Sequence, residues 1–190
     1  MKTLIIGLGN PILGDDGVGW KVVEEIDRRL KIKDSPESLI LNHQSLELDC
    51  AAVGGITLME SLIGYDRAII VDAVIAHQPI GSVRIFRLDE LPDHSTLHTS
   101  SAHDASLQTA IAAGKAIGAH LPDEVIVVGI EAEKIYDFSE ELSPEVQAAV
   151  PRAADEVLML LEREHSAIPR LKSRQRKARS LPSQAEAQPP

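Results

Sequence analysis

Five aromatic side chains in 190 residues, one Trp, two Tyr and two Phe, leave this chain short of the stacking surfaces that single-stranded nucleic-acid binders place under bases. Its core must be aliphatic. One cysteine, Cys50, excludes an internal disulfide and any metal cluster built on thiolates; it reads as a small packing residue. No apolar run approaches the roughly 20 residues that a bilayer span needs. Met1-Lys2-Thr3 runs straight into a strand-like segment, without a signal-peptide layout. The expected location is the cytoplasm, with neither membrane nor nucleic acid as a partner. HExxH and GxSxG are also missing, so no zinc-protease helix and no serine elbow is encoded, and Ser45, Ser100 and Ser101 carry no nucleophile signature. No internal repeat is visible.

What is present is enough apolar residue, 44%, for one domain with a substantial core. Charge is uneven. Residues 165–190 carry six basic side chains (Arg170, Lys172, Arg174, Arg176, Lys177, Arg179) against Glu186, with Pro169, Pro182, Pro189 and Pro190 among Ser, Gln and Ala. That composition predicts a disordered basic tail. The net charge of −10 therefore leaves about −15 on residues 1–164, a surface suited to cations or basic peptides.

The chain is organised around its first twenty residues. Thr3 to Leu8 is a short apolar run; Gly9-Asn10-Pro11-Ile12-Leu13-Gly14-Asp15-Asp16-Gly17 follows; Val22, Val23, Ile26 and Leu30 then repeat at helical spacing. This reads as a buried strand, a glycine-rich acidic loop and a helix over 17–31. A dinucleotide site fits poorly, because the third glycine of that motif is absent and two carboxylates would repel a pyrophosphate. One aspartate could cap the helix. Two adjacent ones exceed what a cap requires, so one is expected to bind something cationic.

Further along, strands are expected over 38–46, 67–74, 82–88 and 124–131, and helices over 56–63, 105–119 and 143–163, with a kink or break at Pro151. Strands alternating with helices predict a three-layer α/β sandwich with a mostly parallel central sheet flanked by helices. In such sheets ligands bind beyond the C-terminal ends of the strands. The candidates there are Asp15 and Asp16, Glu60 on the short helix, Asp72 and Glu131 at strand ends, and the loop bearing His94, His98 and His103. Carboxylates with an imidazole suit a divalent metal with open coordination positions. Each residue also has a plainer role open to it. Glu60 is a helix-face charge, and His103-Asp104 is a helix-start signal.

Gly7-Leu8-Gly9-Asn10-Pro11-Ile12-Leu13-Gly14-Asp15-Asp16-Gly17-Val18-Gly19 resembles the N-terminal signature of the hydrogenase maturation proteases. Asp66 to Val74, Ser101-Ala102-His103-Asp104 and Val127 to Glu131 resemble later segments of that family in the same order, although Ala132 stands where members often have proline. The resemblance spans about residues 2–162. It implies an endopeptidase that removes the C-terminal extension of a [NiFe]-hydrogenase large-subunit precursor after nickel insertion. It implies Asp16, Glu60 and His103 as metal-engaging residues, with Asp16 also catalytic. The nickel would be carried by the precursor, with no resident zinc. Gly9, Asn10, Asp15 and Asp72 are expected to contact the substrate, and the protein to act as a monomer. Two other readings stay open: a nickel-checking chaperone that binds the precursor without cutting it, and a nucleotide-binding protein using the first glycine loop.

Overall fold

A computed structural model describes residues 1–31, 45–88, 106–133 and 135–165. Five strands form one sheet: β1 (Thr3–Leu8), β2 (Leu46–Ala51), β3 (Arg67–Val74), β4 (Val83–Arg87) and β5 (Glu124–Glu131). Their spatial order is β2-β1-β3-β5-β4. All pairs are parallel except β4 with β5. Four helices among the described residues flank the sheet: α1 (Val18–Lys31), α2 (Gly55–Ser61), α3 (Leu107–Ala116) and α4 (Pro144–His165). The three-layer α/β sandwich expected from the alternation is therefore observed, with an antiparallel edge strand.

The central strands read as continuous apolar runs because both faces are covered. Ile5, Ile69, Val71, Val128 and Ile130 point to a layer formed by α1 and α4. Leu4, Ile6, Ala68, Ile70 and Val127 point the other way, to α2, α3 and Leu121. The heptad-like spacing of Val22, Val23, Ile26 and Leu30 puts one face of α1 on the sheet. Its outer face is laced by Lys21–Glu24, Glu25–Arg28 and Asp27–Lys31 pairs, each worth a few tenths of a kcal/mol (~0.2–0.5). Arg29 reaches across to Asp155 and to the carbonyl of Pro151 on α4.

Of the strand expected over 38–46, residues 38–44 lie outside the described residues; the second described strand is Leu46–Ala51, which runs past the expected bound. It is an edge strand: Leu46, Leu48 and Cys50 face the core while Glu47 and Asp49 face out. The alternation was there to be read. The helix also runs from Pro144 to His165 without a break at Pro151. Pro151 is exposed, and the turns around it bury Ala149, Val150, Ala153 and Ala154. That packing outweighs the missing backbone bond, about 3 kcal/mol. The basic tail lies outside the described residues from 166 onward.

Candidate active site

The strand order creates the site. From β1 the chain crosses to β2 on one side through α1, then returns past β1 to β3 on the other through α2. The loops after β1 and β3 therefore part company at the seam between these strands, which is where open α/β sheets bind their ligands. The first turn of α1 lies on that seam. A β-carbon on Gly19 would sit 2.4 Å from the carbonyl oxygen of Leu8 and 2.5 Å from that of Val71, one on each strand. Only glycine permits this approach.

The acidic loop folds over the strand ends. Gly9 turns the chain with φ 112°, and a side chain there would collide with the backbone of Asp16. The next residue holds that aspartate: the Asn10 N–H donates to Asp16 Oδ2 at 2.6 Å. Asn10 also shapes its own loop, its side chain accepting from the Ile12 N–H at 3.2 Å and its carbonyl from the Leu13 N–H at 3.0 Å. Gly14–Gly17 forms one turn of 3-10 helix in which both aspartates are buried. Gly9 and Asn10, expected to touch substrate, thus set the position of Asp16.

The two aspartates divide. Asp15 accepts from the Ser143 N–H at 2.6 Å and from the Ser143 hydroxyl at 3.0 Å. It thereby anchors the start of α4, where a negative charge meets the positive end of the helix. Its carboxylate, expected to contact the substrate, is buried and holds Ser143. Around it Gly14 N–H donates to the Ser139 carbonyl at 2.7 Å and Ser139 N–H to the Ile12 carbonyl at 3.1 Å. Nothing in the sequence of residues 135–143 had marked them as part of this site.

Asp72 is buried near the C-terminal end of β3, one residue beyond the last β1–β3 pair, Gly7 with Val71. By strand alternation it shares the α2–α3 face with Ala68 and Ile70. Glu131, buried on the same face at the end of β5, accepts from the Ala76 N–H at 2.9 Å through Oε1. Its Oε2 is buried without a hydrogen-bond partner among the described residues. Glu131 thus holds the loop after β3, which carries exposed His77 at φ 57°, an imidazole that sequence reasoning did not single out. Glu60 lies on the exposed side of α2, opposite the Leu58 and Met59 that pack it down. His94, His98 and His103 lie outside the described residues. Among the described residues no three His, Cys, Asp or Glu side chains are gathered for a metal ion. Nor is any described helix long and apolar enough to cross a membrane.

Fold and site together define a class: an α/β protein with buried carboxylates along the switch-point crevice of a mostly parallel sheet. Comparison with known proteins narrows it. Residues 20–160 match the family model for hydrogenase maturation protease. The chain is 28% identical over 172 residues to the hydrogenase 2 maturation protease of Escherichia coli, covering 90% of this chain and 97% of that one. Among solved structures, the hydrogenase maturating endopeptidase HybD of E. coli superposes with a TM-score of 0.68 at 25% identity, over 86% of this chain and 94% of that one. A hydrogenase 2 maturation peptidase from a Thaumarchaeota archaeon gives 0.53 at 32% identity, over 85% and 98%. The chain belongs to the hydrogenase maturation protease family.

Proposed function

We propose that this protein is the endopeptidase that removes the C-terminal extension of a [NiFe]-hydrogenase large-subunit precursor once nickel has been inserted. The observation that carries the reading is Asp16: a buried carboxylate fixed by the Asn10 N–H at the mouth of the β1–β3 crevice, in a chain of this family. The nickel belongs to the precursor and arrives with it. Asp16 and His103 engage that metal. Of the two candidates for the second carboxylate, Asp72 is buried just past the last β1–β3 pair, on the strand seam that the acidic loop follows, whereas Glu60 lies on the exposed side of α2. Placement therefore favours Asp72. Carboxylate and imidazole donors are acceptable to nickel. A site offering few ligands can share a metal that its substrate still holds, so that recognition of nickel also positions the scissile peptide. Asp16 then serves as general base toward the attacking water, or the nickel polarises the carbonyl it meets. The protein acts as a monomer in the cytoplasm.

The test is the intact mass of a purified large-subunit precursor, with and without nickel, after incubation with this protein. Loss of a discrete C-terminal peptide from the nickel-loaded form alone is the expected result. Asp16→Ala and His103→Ala abolish it, and Asp72→Ala costs more activity than Glu60→Ala. A stable complex with no change in mass would overturn the protease reading in favour of a chaperone.

A further inference from the structure

The loop after β5 carries two of the chain's five aromatic side chains, and neither is packed. Tyr136 is 80% exposed and Phe138 87% exposed, whereas Trp20, Tyr65 and Phe86 are all partly buried. Large apolar side chains displayed together mark interaction sites, and Tyr is among the commonest anchors of binding energy. The loop is not separate from the site. Its Ser139 is bonded on both sides to the acidic loop, through Gly14 N–H and the Ile12 carbonyl, in a parallel bridge with Leu13. That register sets Phe138 beside Ile12, itself 47% exposed. An apolar shelf therefore adjoins the backbone that carries Asp16. Its surroundings are acidic: Asp137, Glu140, Glu141 and Glu145 are exposed, and residues 135–145 contain no basic side chain.

We propose that Ile12, Tyr136 and Phe138 form the shelf on which the substrate's C-terminal segment is laid, and that the segment presents an apolar side chain flanked by Lys or Arg. Charge complementarity selects the flanking residues. Continuity with the acidic loop places the occupant next to the scissile peptide. The assignment rests on the protease reading, and it extends that reading from the metal to the polypeptide around it.

The experiment uses the full chain and nickel-loaded precursor, with peptide release followed by intact mass. Tyr136→Ser with Phe138→Ser raises KM at least tenfold, the loss falling on KM rather than kcat, and leaves the melting temperature unchanged because neither ring is packed. Glu140→Lys with Glu141→Lys raises KM most at low salt, the difference shrinking as salt screens the charges. Wild-type KM in the aromatic double variant would overturn the shelf. Should wild type bind precursor without cutting it, the protease reading falls. The dissociation constants of the same variants then decide the shelf independently, with a tenfold weakening supporting it and an unchanged value refuting it.

Discussion

Replacing Asp15 by Ala should unfold this protein at a markedly lower temperature, while an isosteric change at its neighbour should not. Asp15 is buried and accepts from both the N–H and the hydroxyl of Ser143, at 2.6 and 3.0 Å. Hydrogen bonds to a charged group contribute about 1.5–3 kcal/mol each and are not additive. The favourable placement of a carboxylate at a helix start adds about 0.3–1 kcal/mol. The alanine variant also leaves two half-buried donors without this acceptor. A loss of about 3 kcal/mol follows, which for a domain of this size lowers Tm by roughly 6–12 °C. Asp15→Asn keeps one acceptor oxygen and should lose about half as much. Asp16→Asn keeps an oxygen for the Asn10 N–H, so its Tm should stay within about 2 °C of wild type while precursor processing disappears. The assay is circular-dichroism melting at neutral pH beside the processing assay. An Asp15→Ala variant that melts with wild type, or an Asp16→Asn variant that loses as much stability as Asp15→Ala, would refute the division of labour between the two aspartates.

Gly19→Ala should cost about 3 kcal/mol or more, beyond ordinary overpacking, because its β-carbon meets two backbone carbonyls that cannot yield without lifting α1 from the sheet; a denaturant midpoint equal to wild type would contradict the close approach. Cys50 should resist alkylation. Burial, helped by Asp49 and Glu24, pushes its thiol up to about 11 from 9.0, which at pH 8 cuts the thiolate fraction about a hundredfold. Since the folded state holds this proton longer than the unfolded one, the group's contribution to stability is complete below pH 9 and is lost as pH rises toward 11. Urea midpoints that fall between pH 9 and 10.5 in wild type, and fall less in Cys50→Ala, are the expected result; identical slopes would exclude the burial argument.

Much of this fold was legible because its central strands and α1 are strongly patterned. Thr3–Leu8 and Arg67–Val74 are built on apolar runs, Leu4–Leu8 and Ala68–Val71, as strands covered on both faces require, and α1 repeats at helical spacing. The edge was harder. Leu46–Ala51 has only one buried face, so half its residues look like loop. Pro151 misled for the opposite reason: a local rule was overruled by packing on both flanking turns. In the site, the glycines and Asp16 were readable from one contiguous motif. The job of Asp15 was not, because its partner lies 128 residues away and a serine before a proline announces only a helix start. From sequence Glu60 was expected at the metal and Asp72 at the substrate, and the burial of Asp72 against the exposure of Glu60 was legible only in the fold. A carboxylate's value depends on which strand ends beside which, and that follows from sheet order.

The long reach from Asp15 to Ser143 also sets a schedule. During synthesis the acidic loop leaves the ribosome well before its supports, for Ser143 stands 128 residues after Asp15 and Ser139 shortly before it. Until then Asp15 has no helix start to hold, and Gly14 lacks the carbonyl that fixes it. Contacts of such sequence separation form late, after their loop-closure entropy has been met. A nascent or truncated chain ending before Ser139 therefore contains every residue of the first motif and an unformed site. On the proposed function such a fragment should process no precursor, and competence should arrive only with the helix that begins at Pro144.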